Sequence, residues 1–302
     1  MALYTYDDTS RREDLLSVLR DVSPAASNYL VTNLGTNTAY NTFHEWPVRN
    51  IARATSDQSH AEGFEASEPV GDAPTRSNNI TAIFARVVKV SGSEQAVRRA
   101  LPGDAMDDEK KVKLIRLKAD MEWALLNGAK ASGASGTARA MAGINSVIST
   151  NLTARNSGTS MSTTELEDIL QNSWDAVGDG FVADIVMCPM GIKRKIAGFT
   201  TGVTRYTDQP DAIYNNVAIY ESSSGVVKVI PHKDVQNTAG TTHVYALREE
   251  FYKMAFLTGR EPKYEELSKV GDSDRGMYVT ELTLESQAER ASVKRTGYAV
   301  LG

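Results

Sequence analysis

One stretch limits the possible folds more than any other: residues 104–127, with DDEKKVKLIRLKADMEWALLNG at its heart. Pro102 and Gly103 break whatever precedes it and Asp104 can cap a helix. Asp107, Asp108 and Glu109 then put negative charge on the unpaired amides of a first turn. Leu114, Leu117, Met121 and Leu125 step by three or four residues and form one apolar stripe, with Lys110, Lys111, Lys113 and Lys118 mostly off it. The pattern predicts one continuous helix with one buried face. Asp107 with Lys111 and Glu109 with Lys113 are acid-before-base pairs four apart, each worth a few tenths of a kcal/mol, and Asn127-Gly128 predicts a left-handed stop. At about 1.5 Å per residue the rod is ~36 Å long, the width of a small domain. Other elements are expected to pack along it as a spine.

A chain of 302 residues, 41% hydrophobic and 24% charged, has the composition of a globular protein and room for one large or two ordinary domains. A net charge of −5 argues against a dedicated nucleic-acid binder. Residues 86–118 nevertheless hold nine basic against five acidic side chains, a local patch able to touch an anionic polymer. The single cysteine, Cys188, excludes an internal disulfide, suits a reducing compartment and reads as a small buried hydrophobe. No apolar run is long enough to span a membrane, and MALYTYDDTSRRED lacks the apolar stretch of a signal peptide, so a cytoplasmic protein without membrane contact is expected. The sequons at Asn79 and Asn151 then read as chance.

In chain order, residues 1–42 look like an arm. Thr9 or Ser10 can cap a short helix carrying Leu15, Leu16 and Leu19, ended by Pro24, before the polar, irregular SNYLVTNLGTNTAYN. Residues 43–55 and 75–91 read as strands flanking SDQSHAEGFEASEPVGDAPT, which makes a two-stranded finger with a large tip. An isolated hairpin is marginal in water, so this one is expected to rest on something else, best on a neighbouring copy. After the spine, residues 131–163 are small and polar and read as linker. Thr164 is expected to cap a helix with Leu166, Ile169, Leu170, Trp174 and Val177 on its buried face, closed by Gly178. FVADIVMC then predicts a buried strand, followed by a helix from Pro189. A second hairpin flanks SSSG, and strands follow at 244–247, 253–258 and 277–286, the last alternating as a half-exposed strand. The fold class is α+β.

Reactive groups are not concentrated anywhere. His44, His60, His232 and His243 share no metal-ligand spacing. GDSDRG at 271–276 lacks the GK[ST] of a phosphate loop and the full acid ladder of a calcium loop, and reads as a turn. GASGTA is not GxGxxG, and no GxSxG occurs. No catalytic residue, cofactor or metal is expected.

The order of parts (arm, finger, spine helix, α/β domain, returning strands) resembles the HK97-type major capsid proteins of tailed bacteriophages, and the wording resembles their SU10-like major head proteins. The matching stretches are SNNITAIFARVVKVSGSEQAV, ADMEWALLNG, ADIVMCPMGIKRKIAGF, VAIYESSSGVVKVIPH and FYKMAFLTGREPKYEELSKVGDSDRGMYVTELTLESQAERA, spread over about residues 75–291. The resemblance implies an HK97-like capsid fold: 1–42 an N-terminal arm, 43–91 the extended E-loop hairpin, and 92–130 the spine helix of the peripheral domain. Residues 131–250 would form the axial domain with its linker, and 251–302 peripheral strands returning to it. It further implies a structural major capsid protein, not an enzyme, assembling with itself into hexamers and pentamers of an icosahedral shell around double-stranded DNA. The expected location is the virion capsid, assembled in the bacterial cytoplasm. Some relatives weld subunits from a finger lysine, but the first lysine here is Lys89, so that bond cannot start in the finger. The arm is too short for a fused scaffolding segment, so a separate scaffolding protein is expected, with a portal, a possible decoration protein and weak non-specific contact with packaged DNA.

For the contacts between subunits, Arg49, Arg53 and Arg76 on the finger stem and Glu62, Glu65, Glu68 and Asp72 at its tip are candidates to pair across copies, with Phe64 as an apolar anchor. Exposed pairs are worth only ~0–1 kcal/mol each, so their role would be to set register. Phe64 folding back on its own loop is the alternative. Competing readings of the whole chain are an encapsulin-like compartment enclosing protein, a soluble enzyme with a fold-assembled site, and a nucleic-acid-binding module.

Overall fold

Residues 28–49, 57, 59–65, 73–97, 104–176, 182–199, 219–235, 237–238 and 241–299 are described by a computed structural model of the chain. The chain enters through a one-turn helix, α1 (Tyr29–Asn33), and a short strand, β1 (Gly35–Ala39). Strands β2 (Phe43–Val48), β3 (Thr75–Ile80) and β4 (Ala82–Ser91) and helix α2 (Gly92–Ala96) lead to the long helix α3 (Ala105–Asn127). Next come α4 (Ile144–Val147), β5 (Leu152–Thr159), α5 (Thr163–Ala176), β6 (Ile185–Cys188) and α6 (Met190–Gly198). The remainder is mostly strand: β7 (Ile219–Ser222), β8 (Gly225–Pro231), β9 (Asn237–Thr238), β10 (Thr241–Leu247), β11 (Tyr252–Leu257), β12 (Lys263–Leu267), β13 (Ser273–Ser286) and β14 (Val293–Tyr298). The expected helix at residues 10–24, and Val177 and Gly178, lie outside the described residues.

Helix α3 forms where its sequence places it. The Asp104 carboxylate accepts the Met106 N–H at 3.3 Å, and Glu109 pairs with Lys113 at 3.4 Å. Asp107 pairs with Lys110, one turn on at 3.5 Å, rather than with Lys111. Leu117, Met121 and Leu125 are buried, and Leu114 is half-buried. The stop differs from expectation. Gly128 is extended, at φ −54° and ψ 139°, not left-handed. It is glycine because a Cβ there would lie 2.5 Å from the Met141 carbonyl oxygen, and a Cβ on Gly143 would lie 2.6 Å from that of Ala124. The glycine pair lets the returning chain cross the helix end at backbone contact, fixed by the Gly143 N–H donating to the Gly128 carbonyl at 2.9 Å.

This helix lies on a five-stranded sheet in the order β1-β11-β13-β12, with β4 along the other side of β13. Leu30 and Leu34 pack into the same core as Leu117, Leu125, Leu282 and Leu284. Residues 28–39 are therefore tied to the chain's own body through buried Leu30, Leu34 and Ala39, although their sequence reads as a polar arm. Strand β1, GTNTA, is held by its parallel backbone pairing with β11 and exposes four of its five residues, which leaves no apolar alternation to read.

A seven-stranded sheet, β5-β14-β10-β6-β8-β7 with β9 on β10, carries the second half. Ile185 and Met187 of β6, with Tyr245 and Leu247 of β10, face the first core; Val186, Cys188, Val244 and Ala246 face a second core closed by α5 and α6. A strand covered on both faces needs apolar residues at every position, which is why FVADIVMC shows no alternation.

Four sequence expectations change. The linker reading of 131–163 misses β5, whose small polar residues pair in parallel with β14. Helix α5 is capped by Ser162, whose hydroxyl accepts the Glu165 N–H at 3.2 Å, not by Thr164. Trp174 is 51% exposed, and Ser173 takes the buried place by donating to the Ala291 carbonyl at 2.8 Å. Strand β13 is not half-exposed either, because every residue from 279 to 286 is buried. Its supposed solvent side, carrying Glu281, Thr283 and Glu285, is covered at the root of the finger.

Candidate inter-subunit interface

The finger begins as β2 and β3, paired antiparallel from Phe43↔Ile80 to Val48↔Thr75. The run 75–91 that reads as one strand is two: β3 belongs to the finger, and β4 leaves Thr81 to join the body sheet along β13.

Asn79 makes the junction rigid. Its side chain donates to the Ala142 and Leu284 carbonyls at 3.0 and 2.8 Å and accepts the Ala142 and Ile80 N–H groups at 2.9 and 2.8 Å. This carboxamide, 1% exposed, ties the finger to the segment crossing the end of α3 and to β13. Its Nδ2 is engaged by these bonds, in keeping with a sequon that arises by chance. The Trp46 Nε1–H, one turn of the pleat away, donates to the Ser286 carbonyl at 2.8 Å.

Beside it, the buried Glu281 carboxylate accepts from the Thr81 hydroxyl at 2.6 Å and from Arg139 at 2.7 Å, and faces Arg260 at 3.4 Å. Further along the strand, Glu285 accepts from Asn37 at 2.7 Å and Gln287 at 3.1 Å and meets His44 at 3.4 Å. Burial pushes the Glu285 carboxyl up, yet these hydrogen bonds more than offset it and leave it below the usual carboxylate range. A cleft of about 730 Å3 opens here between Asn37, Tyr40, Trp46, Arg49 and Gln287, with Tyr40 85% exposed at its rim.

At the tip, the Phe64 N–H donates to the Ala61 carbonyl at 3.2 Å, which closes a turn. The His60 ring stacks on Phe64 at 3.8 Å, yet Phe64 remains 52% exposed. Glu62 and Glu65 are exposed beside it. The stem cations behave differently from the tip: Arg49 is exposed at the end of β2, and Arg76 meets Glu45 of its own hairpin at 3.7 Å. The tip thus gathers Glu62, Phe64 and Glu65, and the stem gathers Arg49 and Arg76. Arg53, Glu68 and Asp72 lie outside the described residues.

The remaining histidines occupy separate places. His232 is fully buried and meets the Glu122 carboxylate of α3 at 2.7 Å, while its Nδ1 accepts the Asp234 N–H at 3.1 Å, so the proton sits on Nε2. Glu122 also accepts the Leu30 and Val31 N–H groups, both at 2.8 Å, and so supplies the cap that α1 lacks in its own side chains. Burial and the Lys294 ammonium pull His243 down to about 4. Burial pushes the Cys188 thiol up to about 12, the opposite of an activated nucleophile. Among the described residues no group of three or more histidine, cysteine or acidic side chains is placed to hold a metal, and no helix is long and apolar enough to cross a membrane.

The sequence family described as SU10 major capsid protein matches residues 2–299. The fold is shared with solved shell proteins of low sequence identity. The holo-SrpI encapsulin complex of Synechococcus elongatus PCC 7942 superposes with a TM-score of 0.64 at 12% identity, covering 96% of this chain and 94% of the other. The capsid of Myoviridae phage XM1 gives 0.63 at 12%, over 94% and 96%. An empty GTA particle capsid gives 0.61 at 14%, over 97% and 95%. No curated protein matches the chain by sequence.

Proposed function

Because this chain belongs to the SU10 major capsid protein family, we propose that it is the shell subunit of a tailed-phage head, closing hexamers and pentamers of itself around double-stranded DNA. The observation that carries this reading is the finger. At its root Asn79 and Glu281 are hydrogen-bonded inside their own subunit, while its tip presents Phe64, Glu62 and Glu65 to whatever lies beyond it. A hairpin of this kind gains most of its stabilisation from a second surface, and a neighbouring copy supplies one at every position of a closed ring. Each contact is modest. A subunit held by several at once is nevertheless retained by effective concentration.

In this reading residues 43–80 are the E-loop, α3 and the five-stranded sheet the peripheral domain, and the seven-stranded sheet with α5 and α6 the axial domain. Arg49 and Arg53 of one finger, with Glu62, Glu65, Glu68 and Asp72 of another, set register rather than strength; Arg76 shares itself with Glu45. Assembly takes place in the host cytoplasm on a separate scaffolding protein, beside a portal and with or without a decoration protein. The chain's acidic average keeps DNA contact weak. An encapsulin-like compartment is the second reading, favoured by the shared fold. DNA rather than an enzyme copurifying with shells separates the two.

Electron microscopy of the purified protein, alone and coexpressed with its scaffolding protein, tests the proposal. Shells, tubes or capsomer rings are expected; a uniformly monomeric species even with scaffold contradicts it.

A further inference from the structure

Helix α3 carries a second apolar line that the described residues leave partly exposed. Val112, Ile115, Ala119 and Trp123 follow at steps of three and four residues, on a side of the helix away from Leu117 and Met121. Ile115 is 39% and Trp123 55% exposed. Lys111 and Lys118 border the line on one side and Arg116 on the other, all three exposed. A helix apolar on two sides, one of them packed on its own sheet, has another surface to cover.

The chain itself holds a fitting occupant. The α1 amides of Leu30 and Val31 are pinned to Glu122, the residue before Trp123, so the segment preceding Asn28 departs beside one end of this line. In that segment Leu15, Leu16 and Leu19 have helical spacing. Residues 10–22 carry Glu13, Asp14 and Asp21 against Arg11, Arg12 and Arg20, and Asp7 and Asp8 just before them bring the acids to five against three, a net −2 set against the bordering cations. The reach is ample. Ile115 lies about 12 Å from Trp123 along the axis at ~1.5 Å per residue, and the chain between Leu19 and Asn28 extends up to ~30 Å.

We infer that residues 10–22 of the same subunit dock their leucine face along Val112, Ile115, Ala119 and Trp123, so that α3 is packed on two sides. This is a property of the single subunit. It holds whether or not shells form, and it is read on unassembled protein.

The test is disulfide trapping in the full chain, where buried Cys188 is silent. A Leu16→Cys/Ile115→Cys chain under mild oxidation is expected to close an intrachain bond at least about ten times faster than a Leu16→Cys/Val226→Cys chain, in which the second thiol sits on the other sheet. Equal rates overturn the inference, and a bond between two chains overturns its assignment to the same subunit. As a second reading, Leu16→Asp/Leu19→Asp is expected to raise acrylamide quenching of Trp123 about threefold, with Trp123→Phe identifying that signal. Unchanged quenching contradicts the docking.

Discussion

The root and the tip of the finger are opposites in how their polar groups are satisfied. At the root, Asn79 makes four hydrogen bonds, and Glu281 is surrounded by a hydroxyl and two guanidinium groups, all from its own chain. At the tip, Phe64 has one face on His60 and is otherwise half open. Burying unpaired polar groups is costly, whereas leaving an aromatic ring partly wet costs little that a partner does not return. Asn79 and Glu281 find their partners within the folded subunit, and in the proposed reading the tip finds its partner on another surface.

That contrast breaks first at Asn79. Asn79→Leu leaves the Ala142 amide and carbonyl and the Leu284 carbonyl unpaired in the interior, and is expected to destabilise the subunit by about 4 kcal/mol in denaturant unfolding. Glu281→Gln keeps the shape but removes the charge facing Arg139 and Arg260, with an expected loss of about 2 kcal/mol. A smaller effect is pH-dependent. The Glu285 carboxyl sits below its ordinary value of 4.5, so its contribution is complete above pH 4.5 and fades as pH falls through the lower folded value. Glu285→Gln is expected to flatten the acid limb of a stability–pH curve, and an unchanged limb removes Glu285 from the account. Smallest for the isolated subunit is Phe64→Ala, expected to shift unfolding by less than about 0.5 kcal/mol while lowering the melting temperature of assembled shells. A large loss in the free subunit would place Phe64 in its own core and erase the contrast.

What could be read from residues alone follows the same division. The α3 spine and the buried β6 announce themselves by apolar spacing, because their burial is achieved by side chains, and the hairpin of β7 and β8 by the SSSG turn between its strands. Strands β1 and β5 are held by backbone pairing behind small polar residues, and periodicity says nothing about them. Glu281, Thr283 and Glu285 alternate like a wet face, and only tertiary structure brings Arg139, Arg260 and His44 over them. Asn79 carried a chance sequon as its only local signal. Phe64 stood out among small polar neighbours; His60 lies against one face of its ring, as the fold-back reading has it, and its half-open side is the one the proposed anchor contact would use.

Amide hydrogen exchange of the free subunit against assembled shells tests the central claim most directly. The amides of Ile80 and Ala142 are predicted to be equally protected in both, and those of residues 61–65 protected only in the shell. Tip amides already protected in the free subunit, or still unprotected in closed shells, would contradict it.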